Sequence, residues 1–301
     1  MEGDHRWFKV LPATMFCAAL WGSAFPSIKT VYAIWEKQGI EVGLPEYWWF
    51  AGVRFSLAGL MLWLVARKPW TEVKATPKRW LWGFTLTQTY GQYLMFYFAV
   101  AIASGSLAGL LAGTGSFWWM LLAPLMTGAP WPSRRQWLAI GIGGTGIALA
   151  TAAPGAGAGQ PVLGALLMVG ATGMGAVGIL QFGKMKGTIG ARAATGFSLG
   201  VGGLMLLATG GSTFARAGEL MSPPVIGLTC WLAFVSAAAF GLWNHLSTRH
   251  PVPLLAGYRF LIPLCGMAES LIFLKGESAG WGLVVGAVLV LGSLVMAQRW
   301  K

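Results

Sequence analysis

Long apolar runs broken by short clusters of charge set the pattern of this 301-residue chain. Crossing the hydrocarbon core of a bilayer takes about 20 mostly apolar residues. Ten stretches meet that requirement, roughly 11–34, 47–66, 80–102, 105–126, 136–152, 161–183, 193–211, 224–246, 253–274 and 280–298. The links between them are short, which leaves little room for a soluble domain or for an active site built on loops. The pattern predicts an all-α integral membrane protein with ten transmembrane helices.

Composition sharpens this reading. The chain is 56% hydrophobic and 10% charged, whereas about a quarter of a soluble domain is charged. Its opening stretch, MEGDHRWFKV, carries two acids, and the first apolar run is long and has no small-residue cleavage site. That run is therefore expected to stay as a helix rather than be removed as a signal peptide. Cys17, Cys230 and Cys265 all lie inside apolar segments, a pattern that suits neither a disulfide framework nor a metal site.

The net charge of +12 would point to nucleic acid in a soluble protein, but its distribution says otherwise. With the N-terminus in the cytoplasm, fifteen of the 21 Lys and Arg fall in cytoplasmic links or termini. Only Lys37, Arg216 and Lys275 fall outside, and Lys29, Arg54 and Arg259 lie within segments. This is the positive-inside asymmetry of a membrane protein. The expected surroundings are a lipid bilayer, with both termini cytoplasmic and no nucleic-acid partner.

Around residues 152–160, AAPGAGAGQ forms a Gly/Ala/Pro linker that divides the segments into two sets of five. The expected organisation is a first unit over 8–152, a linker over 153–160 and a second unit over 161–299. An odd number of spans per half forces the second to enter the membrane in the opposite sense, giving an inverted repeat. Weak internal similarity supports this: GSLAGLLAGTGSFWWMLLAPLMTGAPWPSRRQW and VPLLAGYRFLIPLCGMAESLIFLKGESAGW each run helix, Gly, turn, Trp, helix.

Two motifs mislead. Gly141–Gly146, GIGGTG, matches a dinucleotide fingerprint, but it lies inside an apolar helix with no preceding strand and no acid about 20 residues on. Close packing through small residues explains it better, as for Gly282 and Gly286. His245 and His250 bracket one segment end without a carboxylate or Cys beside them, which makes a poor metal site. No nucleophile with a base stands at bilayer depth. Neither an enzyme nor a cofactor is expected.

The informative residues are the charges inside the segments, because burying one costs at least about 2.5–3.5 kcal/mol and such groups usually face a cavity or a partner. At about 1.5 Å per residue, Lys29, Arg54 and Glu269 share one level roughly 8–11 Å below the outer surface, with Arg259 nearer the cytoplasm. One reading pairs Arg54 with Glu269 and lets Lys29 and Arg259 snorkel to the two surfaces. The other makes the cluster a polar cavity suited to a carboxylate or phosphate. Helical spacing adds stripes of Trp21, Phe25 and Lys29, of Thr85, Gln88 and Gln92, and of Ser236, Phe240, Trp243 and Asn244. Amides are costly in lipid unless paired. Pro26 cannot donate to the Gly22 carbonyl, so the first helix is expected to weaken there and to act as a gate, with Gly22 free to meet a substrate ammonium.

These stretches resemble the ten-helix, EamA-type members of the drug/metabolite transporter superfamily. The resemblance rests on ALWGSAFPSIK, VRFSLAGLMLW, SLAGLLAGTGSFWWMLLAPLMTGAPWPSRRQWLAIGIGGTGIAL and LWNHLSTRHPVPLLAGYRFLIPLCGMAESLIFLKGE. It implies two inverted five-helix repeats, a central cavity worked by alternating access, and cargo drawn from amino acids, related metabolites, drugs or nucleotide sugars. Two departures stand out. The acid usual after the fourth helix is Ala129 here, while its counterpart Glu277 is kept, and the first helix carries Lys29 where small cation-exporting relatives have a glutamate.

The sequence thus leads to an expected bacterial inner-membrane exporter of small metabolites, amino acids first among them. A carboxylate would meet Lys29 or Arg54, an ammonium Glu269 or the Gly22 carbonyl, and an apolar side chain Trp21, Phe25 and the aromatics of the third and eighth segments, Trp243 among them. Glu269 is the one candidate proton carrier. The alternatives are an exporter of quaternary or planar cations held in an aromatic cage, and a non-transporting membrane scaffold.

Overall fold

The computed structural model describes residues 4–156, 160–250, 255 and 258–298. Part of the linker at 153–160 and the beginning of the segment expected at 253–274 lie outside the described residues, as do 299–301. The described residues form helices and no strand. They run α1 (Asp4–Lys37), α2 (Leu44–Leu64), α3 (Pro69–Ala75), α4 (Lys78–Thr85), α5 (Gln92–Ile102), α6 (Gly105–Leu111), α7 (Gly115–Thr127), α8 (Arg134–Ala152), α9 (Pro161–Gly183) and α10 (Ala191–Thr209). The series continues with α11 (Ala217–Leu220), α12 (Pro223–Arg249), α13 (Leu261–Phe273) and α14 (Trp281–Gln298).

Five of these stretches are long and apolar enough to cross a bilayer: Val10–Lys37, Gly105–Thr127, Pro161–Gly183, Ala191–Thr209 and Pro223–Ser247. Leu44–Leu64 qualifies when taken with Pro69–Ala75, from which it is bent by 101°. Their outer faces are apolar, with Leu166 65%, Leu125 69% and Ile272 72% exposed. Bare leucines and isoleucines in such number suit lipid rather than water. The chain is a multi-pass α-helical membrane protein.

Helix ends follow local chemistry. Ser133 and Gln136 close a capping box at the start of α8, with bonds of 3.4 and 2.8 Å, which satisfies two of the free N–H groups there. The chain leaves α7 through Gly128 at φ +71, a conformation open to glycine. At α6, Ser104 accepts from the Leu107 N–H, while Glu277 accepts from Gly105 N–H and, at 2.7 Å, from Ser106 N–H. A carboxylate from the link between α13 and α14 thus holds the start of α6, where free N–H groups favour negative charge. Near the same end of the bundle, Arg216 reaches Glu46 at 3.1 Å and Glu219 at 3.0 Å. The Arg216 hydrogen bond keeps the exposed Glu219 carboxyl below its ordinary range.

The bundle is held by helix pairs that meet through glycine. A Cβ on Gly52 would lie 2.5 Å from the Leu207 nitrogen, and one on Gly59 would collide with the Gly200 backbone, so α2 and α10 touch main chain to main chain. In α6 and α13, a Cβ on Gly109 would stand 2.5 Å from the Gly266 carbonyl carbon. Between α8 and α14, Cβ atoms on Gly146 and Gly286 would lie 2.8 and 2.6 Å from each other's carbonyl oxygens. Lipid supplies no hydrophobic drive for helices to associate, so close backbone approach supplies the contact. The glycines of GIGGTG divide accordingly: Gly143 and Gly146 face partners, while Gly141 and Gly144 face open space.

Candidate functional site

Three irregular stretches of backbone converge inside the bundle. Between α4 and α5, Leu86–Gly91 winds as a π-helix; between α6 and α7, Ala112–Thr114 tightens to a 3-10 turn; and residues 258–260 form a turn before α13. Irregular backbone is tolerated at membrane depth where it lines a cavity or is buried in protein, and π-helical turns gather at functional sites. Here each stretch contributes to one cavity of about 130 Å³ through Gln88, Ala112 and Arg259. At about 30 Å³ per water in the liquid, that is room for roughly four.

Arg54 anchors one wall. It is 2% exposed and donates from Nε and Nη2 to Ser236 Oγ at 3.2 and 3.0 Å, and from Nη1 to Tyr97 Oη at 2.8 Å. Its guanidinium lies 4.6 Å from the Phe55 ring centre, a favourable place for a cation. α2, α5 and α12 thus fix one charge at the cavity edge, and two N–H bonds of the guanidinium fork stay free of these partners. Arg259 lines the same cavity, and a Cβ on Gly115 would be 3.4 Å from its Nη2, so glycine leaves the guanidinium its space. Among the described residues, no Asp or Glu lines the cavity.

Aromatic side chains make much of the remaining lining. Trp21 packs edge-on against Phe240 at 5.1 Å and near Trp243 at 5.5 Å, and Phe25 meets Phe96 at 5.5 Å. Asn244 donates from Nδ2 to Thr195 Oγ1 at 2.6 Å. Trp21 Nε1, Gln88 Oε1 and Gln92 Oε1 are buried without a hydrogen-bond partner. A buried polar atom left unpaired costs about 1–3 kcal/mol, so their convergence on one cavity calls for a ligand or water. Gln88 and Gln92 lie over Gly178 and Gly175 of α9, where a Cβ would meet their Oε1 atoms at 2.7 and 2.5 Å. Small residues on α9 let the amides reach the interior.

Of the residues singled out from sequence, Trp21, Phe25, Arg54, Gln88, Gln92, Trp243 and Asn244 line the cavity, and Gly22, Pro26, Lys29 and Glu269 do not. Gly22 faces α13: a Cβ there would meet Glu269 Oε1 at 2.5 Å and Cys265 Cβ at 2.8 Å, so it is a packing position. Positions spaced by four drift about 40° around a helix at each step. Lys29, eight residues from Trp21, has therefore turned away and lies about 12 Å along α1. Its Nζ is 3.4 Å from the Ala101 carbonyl. Glu269 is about 10 Å along α13 from Ile262, which does reach the cavity.

The expected Arg54–Glu269 pair is absent; the ion pairs among the described residues join Arg216 to Glu46 and Glu219. The first helix carries Pro26 without a break, since α1 runs from Asp4 to Lys37. The Ser23, Ser27 and Thr30 hydroxyls bond Leu20, Ser23 and Pro26 carbonyls at 2.7–2.8 Å, tying down carbonyls beside the proline. Tyr93 and Phe96, aromatics of the third segment, also line the cavity, as do Arg259 and Thr172, which sequence reasoning did not assign to it. Arg259 carried a signal as a cation inside an apolar run, and the structure brings it to the cavity that Arg54 also lines.

Comparison with known proteins gives the fold and no more. A solved crystal structure, described only as "Crystal structure of protein", superimposes with a TM-score of 0.66 over 96% of this chain and 95% of that one, at 16% identity. The chain therefore shares a complete fold with a protein of quite different sequence. No protein-family model matches the chain. No curated protein matches it.

Proposed function

We propose that this protein is an alternating-access transporter that exports small carboxylate-bearing metabolites, amino acids and their relatives, across a bacterial inner membrane. The observation that carries the reading is the cavity: two arginines, two unpaired amides and an aromatic wall inside a membrane bundle. A dry scaffold would pair or avoid such groups. A cage for organic cations would not line itself with two guanidiniums and no acid. A carboxylate would meet Arg54 and Arg259, an apolar tail Trp21, Phe25 and Phe240, and an ammonium the amide oxygens of Gln88 and Gln92 in place of Glu269.

In this reading ten helices cross the membrane as two inverted five-helix repeats, 8–152 and 161–299, with both termini cytoplasmic, as the resemblance to EamA-type drug/metabolite transporters implies. The packing supports it. If the apolar segments are numbered one to ten, segment one packs on nine and six on four, three on six and eight on one, two on eight and seven on three. Each contact recurs when five is added to both numbers, the signature of a pseudo-two-fold axis. The pairs two–seven, four–nine and five–ten map onto themselves, and these are the glycine contacts described above.

The binding reading is tested by ligand-dependent thermal stabilisation of the purified protein. A ligand that binds only the folded state raises stability in proportion to ln(1 + [L]/Kd). Over a panel of amino acids, quaternary amines and sugar nucleotides, stabilisation by carboxylate-bearing members is expected. A response to quaternary amines alone would replace this reading with the aromatic cage.

Glu277 supplies a latch in the same scheme, since it joins the link after α13 to the start of α6. Glu277→Ala is expected to raise labelling of a cysteine placed at Gln92 by an impermeant thiol reagent several-fold, in a background lacking Cys17, Cys230 and Cys265. Unchanged labelling would remove the latch from the gating scheme.

A further inference from the structure

We propose that the cavity prefers substrates of net negative charge, small aryl or branched carboxylic acids without an ammonium group, and that Arg259 receives the carboxylate. This rests on the reading of the cavity as the substrate site and narrows its cargo. Two guanidiniums line the cavity, and no carboxylate lines it with them. Arginine stays charged at any pH a cell meets, so a bound zwitterion leaves both positive charges uncompensated and places its ammonium beside them. An anion offsets at least one. In low-dielectric surroundings that difference outweighs the dipole of a neutral amide.

The two arginines are not equivalent. Arg54 already spends its Nε, Nη1 and Nη2 on Ser236 and Tyr97, which fixes its position. Among the described residues no side chain or carbonyl accepts from the Arg259 guanidinium, and no acid pairs with it. A cation inside an apolar bundle with no partner among the described residues is placed for a ligand. The free donor of Trp21 Nε1 adds to this side, since an ionised carboxylate only accepts hydrogen bonds, at about four lone-pair sites. The amides accommodate either head and so do not decide between them, because Gln88 and Gln92 can turn their oxygen to an ammonium or their NH₂ to a carboxylate.

Three probes with one tail and different heads test this on the purified full-length protein: 3-phenylpropionate, phenylalanine and 2-phenylethylamine, titrated calorimetrically. The expected order is 3-phenylpropionate tightest, phenylalanine weaker by about tenfold or more, and no saturable binding of 2-phenylethylamine. Arg259→Gln is expected to weaken 3-phenylpropionate by about tenfold and to erase most of its advantage, while Arg259→Lys keeps the order. Phenylalanine binding as tightly as 3-phenylpropionate, or more tightly, overturns the anion preference while leaving the site itself standing. Binding of none of the three, with no response to any amino acid, overturns the site as well. The expected order together with an unchanged Arg259→Gln overturns the role of Arg259, and if that variant does not fold, the wild-type order and Arg259→Lys decide.

Discussion

Gly59→Ala is expected to prevent the protein from folding stably, whereas Gly144→Ala, an equally small change, leaves it intact or slightly firmer. The added methyl at 59 would run into the Gly200 backbone, with the Gly196 carbonyl oxygen at 2.9 Å. Backbone cannot rotate aside as a side chain can, so the helices must separate along their seam. Overpacking a tight core costs about 1–3 kcal/mol and occasionally more, and separation along the α2–α10 seam puts this change at or above the upper end. It would also strain neighbouring close approaches at Gly52 and Gly203, which lie on the same seam. At Gly144 nothing stands within 4 Å, and alanine gains up to about 1 kcal/mol in helix propensity. Thermal unfolding in detergent, with monodispersity by size-exclusion chromatography, separates the two. Equal melting temperatures would mean that the seam can part without cost.

Arg54→Met is expected to abolish the response to carboxylate ligands, by more than about a hundredfold in affinity, while the protein stays folded. Hydrogen bonds to a charged group are worth about 1.5–3 kcal/mol each, and a carboxylate received by Arg259 would draw two more from the donors of Arg54 not spent on Ser236 and Tyr97. Methionine fills similar volume beside Phe55 and leaves no buried charge behind, so the fold loses less than the site does. The Tyr97 and Ser236 hydroxyls can still find water in a cavity of this size. Arg54→Lys is expected to fail nearly as badly, because an ammonium cannot reach both hydroxyls and a ligand in the flat fork that guanidinium offers. Retained binding in Arg54→Met would reduce Arg54 to a packing element.

Much of this architecture is legible in the amino-acid pattern because membranes leave few choices. A run such as 161–183 is apolar and long, and helix α9 covers those same residues. Span ends are marked by Pro161, Ser133 and Gly128, whose caps and turns follow from local chemistry. Stripes a helical turn apart were legible too: Gln88 with Gln92 and Phe240 with Trp243 reach the cavity as their spacing suggests. The failures are about rotation and regularity. The α1 stripe from Trp21 through Phe25 to Lys29 extends too far, since the drift of a 3.6-residue turn carries Lys29 off the face. Arg259 was set apart from Arg54 by a count along one helix, whereas the chain turns at 258–260 before α13 begins and both arginines line one cavity. The π-helix at Leu86–Gly91 leaves no trace that periodicity could detect. Glu269 illustrates a third limit: an acid in an apolar run invites pairing with a base in another, yet Glu269 is only half-buried and lies against Gly22, outside the cavity that Arg54 lines.

The central claim is that the cavity moves a carboxylate-bearing metabolite across the membrane, and uptake into proteoliposomes tests it most directly. Radiolabelled phenylalanine and 3-phenylpropionate would be offered to vesicles preloaded with the same unlabelled compound. The account predicts saturable counterflow of at least one of them above protein-free vesicles, lost in Arg54→Met reconstituted to the same level. Uptake that stays at the protein-free level for both, or that proceeds unchanged in Arg54→Met, would contradict it.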